Sequence, residues 1–205
     1  MTKVIIVDYG MGNLGSVQNM FKRIGVTTEV TSDSKKIESA KKILLPGVGA
    51  FDTAMRKINE TGLAEVLDRK ALIDKIPILG ICLGMQLLSK YSEEGVCPGL
   101  GWIPAQTIKF AFPYSSALKI PHMGWNNIQK INRSKLTENL DNDTRFYFVH
   151  SYYVKADNSD DVLATTNYGV EFHSIIQHEN IYGAQFHPEK SHRFGMKLLE
   201  NFAKI

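Results

Sequence analysis

Residues 77–88, PILGICLGMQLL, decide how this chain folds. Pro77, Ile78, Leu79 and Ile81 read as a short buried strand, whereas Met85, Leu87 and Leu88 open a helical pattern. Cys82 then stands at the strand-to-helix turn, with Gly80 and Gly84 two residues to either side. Those glycines remove Cβ atoms that would crowd a sharp turn, the mechanics of a nucleophile elbow. A helix N-terminus also turns unpaired N–H groups toward the sulfur. GxCxG is short, however, and a small buried hydrophobe is the other open reading of such a cysteine.

The same strand-then-helix rhythm runs outward in both directions. Val4 to Val7 is an apolar β-branched run, and Leu14, Val17, Phe21 and Ile24 follow at helical spacing until Gly25. Ile43 to Leu45 reads as a strand entering PGVGAF, residues 46–51, and Ala54, Ile58, Leu63, Val66, Leu67 and Ile73 predict one or two helices. Repeated βαβ units predict an open, mixed, mainly parallel central α/β sheet flanked by helices. Beyond Ser92 the pattern changes to short β-type runs at 107–110, 146–149, 152–154, 162–166, 174–177 and 181–186. NYG and HEN separate the last three as antiparallel hairpin turns, and Phe194, Leu198, Leu199 and Phe202 predict a closing helix.

Composition bounds the rest. At 205 residues, 43% hydrophobic and 22% charged, the expectation is one well-cored domain spanning 1–205. The 24 basic and 21 acidic residues are dispersed, without the basic runs of a nucleic-acid reader. MTKVIIVDYG is too short in apolar residues for a signal peptide, and no stretch reaches membrane-spanning length, so a cytoplasmic location is expected. Cys82 and Cys97 fit neither a disulfide framework nor paired zinc knuckles, and the histidines form no ligand spacing. No metal and no cofactor is expected. Cys97, before a proline in a glycine-rich loop, reads as structural.

Two further segments complete a chemistry around Cys82. His187 lies in QFHPEK directly after an apolar run; in an extended segment, His187 and Glu189 would share one side while Pro188 points away. That suits a base with its orienter, although HPE taken alone reads more readily as a surface turn with a solvated carboxylate. In PGVGAF, Gly47 and Gly49 let the backbone, with Val48, turn an N–H toward a developing oxyanion beside Leu83 N–H. A glycine turn without function is the alternative.

GICLGMQ (80–86), PGVGAF and FHPEK (186–190) together resemble the class I, triad-type glutamine amidotransferases over nearly the whole chain. DYGMGN (8–13), GLGWIP (99–104), KIPHMGWN (119–126) and YFVHSYY (147–153) narrow the resemblance to the glutaminase subunits of imidazole glycerol phosphate synthases, in histidine biosynthesis. The resemblance implies glutamine hydrolysis by Cys82, His187 and Glu189, an oxyanion hole at Leu83 and the Gly47–Val48–Gly49 turn, and glutamine held by Gln86 with Ser151 and Tyr152. It implies a (β/α)8-barrel cyclase partner in a heterodimer, faced by Asn13, Pro121, His122, Met123, Gly124, Trp125 and Lys190. By residue type alone, Trp125 would belong in a core. A cyclase partner also fits the chain's lack of an acceptor domain or phosphate loop. A paralogue serving another barrel-type acceptor, a silent regulatory subunit, and a free-standing cysteine peptidase or γ-glutamyl hydrolase remain as alternatives. The segment FAFPYSSA, 110–117, has no reading from the resemblance.

Overall fold

A computed structural model describes residues 3–141 and 143–205. Its centre is an eight-stranded sheet, ordered β2-β1-β3-β4-β12-β11-β10-β7. Here β1 is Val4–Val7, β2 Thr28–Thr31, β3 Ile43–Gly47 and β4 Ile78–Cys82; β7 is Gln129–Lys130, β10 Val162–Tyr168, β11 Val170–His178 and β12 Ile181–Ala184. The pairs from β2 to β12 are parallel and those from β12 to β7 antiparallel. The βαβ half makes most of the parallel part, β12 adds to it beside β4, and the antiparallel hairpins predicted at NYG and HEN carry the sheet on through β11 and β10.

Strand alternation divides the core. Val4, Ile6, Leu44, Leu79 and Ile81 face one side, packed with Val17, Met20 and Phe21 of α1 (Leu14–Arg23) and with Leu198, Leu199 and Phe202 of α6 (His192–Lys204). Ile5, Val7, Ile43, Leu45 and Ile78 face the other. There they meet α3 (Phe51–Glu60), α4 (Leu63–Asp68) and the five-residue α5 (Leu83–Leu87). Every residue of β1, β3 and β4 is buried, as a strand covered by helices on both faces requires. Each fully buried Leu, Ile or Phe contributes roughly 1.5–3 kcal/mol, which fixes the layering.

Besides the two-residue β7 and short 3-10 turns, three elements escape the sequence reading. The strand β2 carries a polar, half-buried TEVT, and α2 (Ser34–Glu38) is a single turn capped by Asp33. The third is β6 (His122–Asn127), which forms a ribbon with β8 (Arg145–His150) instead of extending the sheet. A second ribbon, β5 (Ala105–Lys109) with β9 (Tyr152–Ala156), lies apart as well. The short β runs after Ser92 therefore do not all join the central sheet: Phe146 and Phe148 pack into the first core layer, Ala105 and Val154 into the second. No helix among the described residues is long and apolar enough to cross a membrane.

Candidate functional site

Register brings three loops to one end of the parallel strands. Gly47 pairs with Cys82, and Ala184 with Ile81, so PGVG, the cysteine and the chain running on to His187 emerge side by side. Open α/β sheets bind ligands at this carboxyl end.

The elbow is formed as the glycine spacing predicts. Cys82 sits at φ 53°, ψ −110°, a left-handed conformation that a non-glycine residue adopts at a cost of about 1–3 kcal/mol. A Cβ on Gly84 would stand 1.9 Å from Leu45 O, and one on Gly80 2.5 Å from Gly84 O. Only glycine lets the turn lie this close to β3. Beneath it, Tyr9 Oη donates to Pro46 O at 2.5 Å, tying the DYGMGN segment to the PGVG turn.

His187 Nδ1 lies 2.8 Å from Glu189 Oε1, and both side chains are 2% exposed. The pairing arises differently from the extended segment expected. Pro188–Lys190 is a 3-10 turn, closed by Lys190 N donating to His187 O and Ser191 N to Pro188 O. Strand β12 stops at Ala184, and proline favours the first position of a helical turn. Among the described residues His187 Nε2 has no hydrogen-bond partner although it is buried. Burial by itself disfavours the imidazolium; the neighbouring Cys82 sulfur and Glu189 carboxylate outweigh it and hold the His187 pKa above the ordinary histidine value. The sulfur acts on the ring by proximity, since its own contacts are Val149 O at 3.9 Å and Gln185 Nε2 at 3.8 Å.

Cys82 and His187 open into a cavity of about 330 Å³ that Val48, Gly49, Leu83, Gln86, Ser151 and Tyr152 also line. All the expected oxyanion and glutamine-binding residues except Gly47 therefore border one space; Gly47 lies beneath, at the end of β3. A larger hollow of about 850 Å³ near Lys130 and Lys204 contains none of this chemistry.

Four residues of the site were missed: Val149 and His150, which also line the cavity, and Glu94 and Gln185. Glu94, the one carboxylate lining the cavity among the described residues, accepts from Phe51 N at 3.0 Å and so caps α3. Gln185 is fully buried between Gln86 and Cys82, receiving Gln86 Nε2 at 3.2 Å. The sequence signal for Gln185 was its place two residues before His187; Glu94 had none, since its loop is fixed by tertiary contacts.

Comparison with known proteins now decides the family. The family model "Glutamine amidotransferase class-I" matches residues 5–205. The chain is 52% identical to imidazole glycerol phosphate synthase subunit HisH 2 of Methanococcus maripaludis and 48% identical to subunit HisH of Bdellovibrio bacteriovorus, over 98% of each chain. With subunit HisH 2 of Pseudomonas aeruginosa it shares 43% over 98% of this chain and 99% of that one. This chain belongs to the HisH family of class I glutamine amidotransferases.

The structure of PurLQS from Thermotoga maritima has the same fold as this HisH-family chain, at a TM-score of 0.72 and 18% identity over 100% of this chain and 99% of that one. A glutamine amidotransferase from the same organism gives 0.67 and 17% over 99% and 83%. The activity of this HisH-family enzyme is glutamine hydrolysis, and its fold is the amidotransferase fold.

Of the HisH-family residues expected at a partner surface, Asn13, Pro121, Met123, Trp125 and Lys190 are exposed, Met123 at 61% and Trp125 at 42%. Trp125 is not a core residue; its ring stacks on His192 at 5.6 Å and the residue is 42% exposed. Gly124 is half-buried. His122 is the exception, being 3% exposed, because strand alternation in β6 turns residues 122, 124 and 126 inward and 123, 125 and 127 outward. Asn13 also caps α1, its side-chain oxygen accepting from Ser16 N. Cys97 has its backbone N–H held by Asp52 at 3.0 Å; burial and that carboxylate push its thiol pKa up, which suits a structural cysteine. In the segment 110–117, Phe110 is buried and packs on Phe112 at 5.6 Å, while Tyr114 is fully exposed.

Proposed function

We propose that residues 1–205 act as one glutaminase unit that passes ammonia to a (β/α)8-barrel cyclase subunit, yielding imidazole glycerol phosphate and aminoimidazole carboxamide ribonucleotide. The observation that carries the chemistry is the single cavity that Cys82, His187, Gln86 and the Glu94 carboxylate all border. Glutamine fits this polarity. Its α-ammonium faces the Glu94 carboxylate and the Gln86 side-chain oxygen, since both hydrogen bonds of the Gln86 side chain are donated by Nε2. Its carboxamide then reaches Cys82.

Cys82 Sγ attacks the carboxamide carbon, and the oxygen takes the electron pair. Leu83 N–H and an N–H of the Gly47–Val48–Gly49 turn receive that oxyanion. His187 gives its proton to the departing nitrogen, so the C–N bond breaks, ammonia leaves and a γ-glutamyl thioester remains. Water, deprotonated by His187, cleaves the thioester to glutamate and restores Cys82. Glu189 holds the His187 ring with Nε2 toward the reaction throughout.

Exposed Met123 and Trp125, on the strand that follows the cavity-lining Pro121, support a partner surface there. The test is glutamate release by the chain alone, with the histidine-pathway cyclase, and with cyclase plus its nucleotide ligand, with Cys82→Ala as blank. Strong release in the third mixture alone is expected. Absence of release in every mixture would reject the cyclase as acceptor.

One observation favours a second reading, a paralogue feeding a different barrel-type acceptor: the relatives in M. maripaludis and P. aeruginosa carry the copy number 2 in their names. Partner selectivity in the same assay separates the two.

A further inference from the structure

Tyr152 O accepts from two donors, and the second leads away from the catalytic residues. Gln86 Nε2 reaches this oxygen at 3.0 Å and His150 Nδ1 at 2.8 Å. Behind His150, His122 Nδ1 stands 3.1 Å from His150 Nε2, and Asn126 Nδ2 stands 3.4 Å from His122 Nε2.

The proton positions follow from the ends of this chain. A carbonyl only accepts, so His150 Nδ1 carries hydrogen and its Nε2 is the acceptor. His122 Nδ1 must then donate, leaving His122 Nε2 to accept. The other end agrees independently. Asn126 Oδ1 accepts from Asn127 N at 2.9 Å and its Nδ2 donates to Asn167 O at 2.9 Å, so the amide presents an N–H to His122. Protonating either ring would set two donors face to face.

The rings are held in place. His122 stacks between Tyr168 at 4.0 Å and Phe148 at 4.9 Å, and His150 packs against Phe172 at 5.1 Å and Phe110 at 5.3 Å. Phe110 thereby gives part of the unread segment a purpose. Their burial drives both pKa values down, to about 4 for His122 and about 3 for His150, which keeps the rings neutral. At the inner end, Gln86 continues to Gln185, and Gln185 to the sulfur. At the outer end, Asn126 belongs to β6, the strand whose alternate residues Met123 and Trp125 are exposed.

We propose that His122 and His150 are positioning residues of the glutamine site, fixing Gln86 through the Tyr152 carbonyl and making glutamine affinity depend on where strand β6 lies. The proposal rests on the glutaminase reading above. A displaced β6 carries His122 with it, His150 loses its donor, and the carbonyl that orients Gln86 shifts. Each step involves one hydrogen bond between buried groups, where a missing partner is costly.

The experiment measures glutamine affinity calorimetrically in the Cys82→Ala full chain, which holds glutamine without consuming it. His122→Leu is expected to weaken binding roughly tenfold, the scale of one displaced hydrogen bond. His122→Asn, whose side-chain N–H replaces Nδ1–H, should recover affinity to within about threefold. In a His150→Asn background the path is already cut, and His122→Leu should add nothing. Unchanged binding by His122→Leu, or equal weakening by Leu and Asn, would overturn the relay. Absence of glutamine binding by the Cys82→Ala parent would reject the glutamine site itself, and the relay with it. The unsubstituted chain gives a reading independent of variant folding: ¹⁵N shifts should put both ring protons on Nδ1 between about pH 5 and 8. A proton on Nε2 of either ring contradicts the proposal.

Discussion

Glu189 Oε1 receives His187 Nδ1 at 2.8 Å beside a 3-10 turn, so that the proposed base and its proposed orienter belong to one four-residue unit. The proline between them sets the backbone, and burial of both side chains excludes water from the pair. Glu189→Gln keeps the shape but removes the charge that supports the imidazolium. We expect kcat for glutamine hydrolysis to fall roughly 10²- to 10⁴-fold, with a lowered His187 pKa read by NMR titration. An unchanged rate would remove Glu189 from the catalytic set.

The strained backbone at Cys82 predicts an unusual order of stabilities. Glycine relieves the left-handed φ, whereas alanine keeps the strain, so Cys82→Gly should be more stable than Cys82→Ala by about 1 kcal/mol. Urea unfolding measures this. Both variants are expected to lose turnover, which would separate the sulfur's chemistry from the turn's geometry.

Acid should unfold the chain through its buried rings. In the unfolded chain each histidine takes a proton near 6.5, whereas folded His122 and His150 resist until about 4 and about 3. Between those values the unfolded state binds more protons, so stability falls as pH drops below about 6.5 and is unaffected by these rings above it. The loss at the lower end is about 3 kcal/mol for His122 and about 5 kcal/mol for His150. A pH series of denaturant midpoints should show a shallower slope for His122→Leu; an unaltered slope would mean that the ring already titrates normally.

Trp125 lies half outside the chain, stacked on His192 with Arg145 5.7 Å from its ring. Trp125→Ala should cost the isolated chain less than about 1 kcal/mol yet weaken association with the acceptor subunit by about 2 kcal/mol. Melting of the chain alone and titration of the partner test the two halves separately. Equal losses in both would assign Trp125 to folding.

Particular residues show how far the sequence could be read. Cys82, Gly80 and Gly84 announced the elbow because strand and helix periodicities change at that point, and PGVG and HPE sat directly after apolar runs. The hairpins at NYG and HEN were legible for the same local reason. Strand β2 was not, because TEVT is polar enough to resemble a loop until β1 pairs with it. The ribbons β5–β9 and β6–β8 were not either, since whether a short β run extends a sheet or leaves it depends on contacts far along the chain.

By itself, then, the sequence determined the βαβ order, the two-faced burial of β1, β3 and β4, and the residues able to act as nucleophile and base. These are properties of periodicity and of backbone sterics, which act over a few residues. Tertiary structure alone decided that Glu94 enters the cavity, that Gln185 lies under Cys82, and that His122 turns inward to His150. Those placements join residues separated by up to 103 positions, and only packing and hydrogen-bond satisfaction in the folded chain can select them.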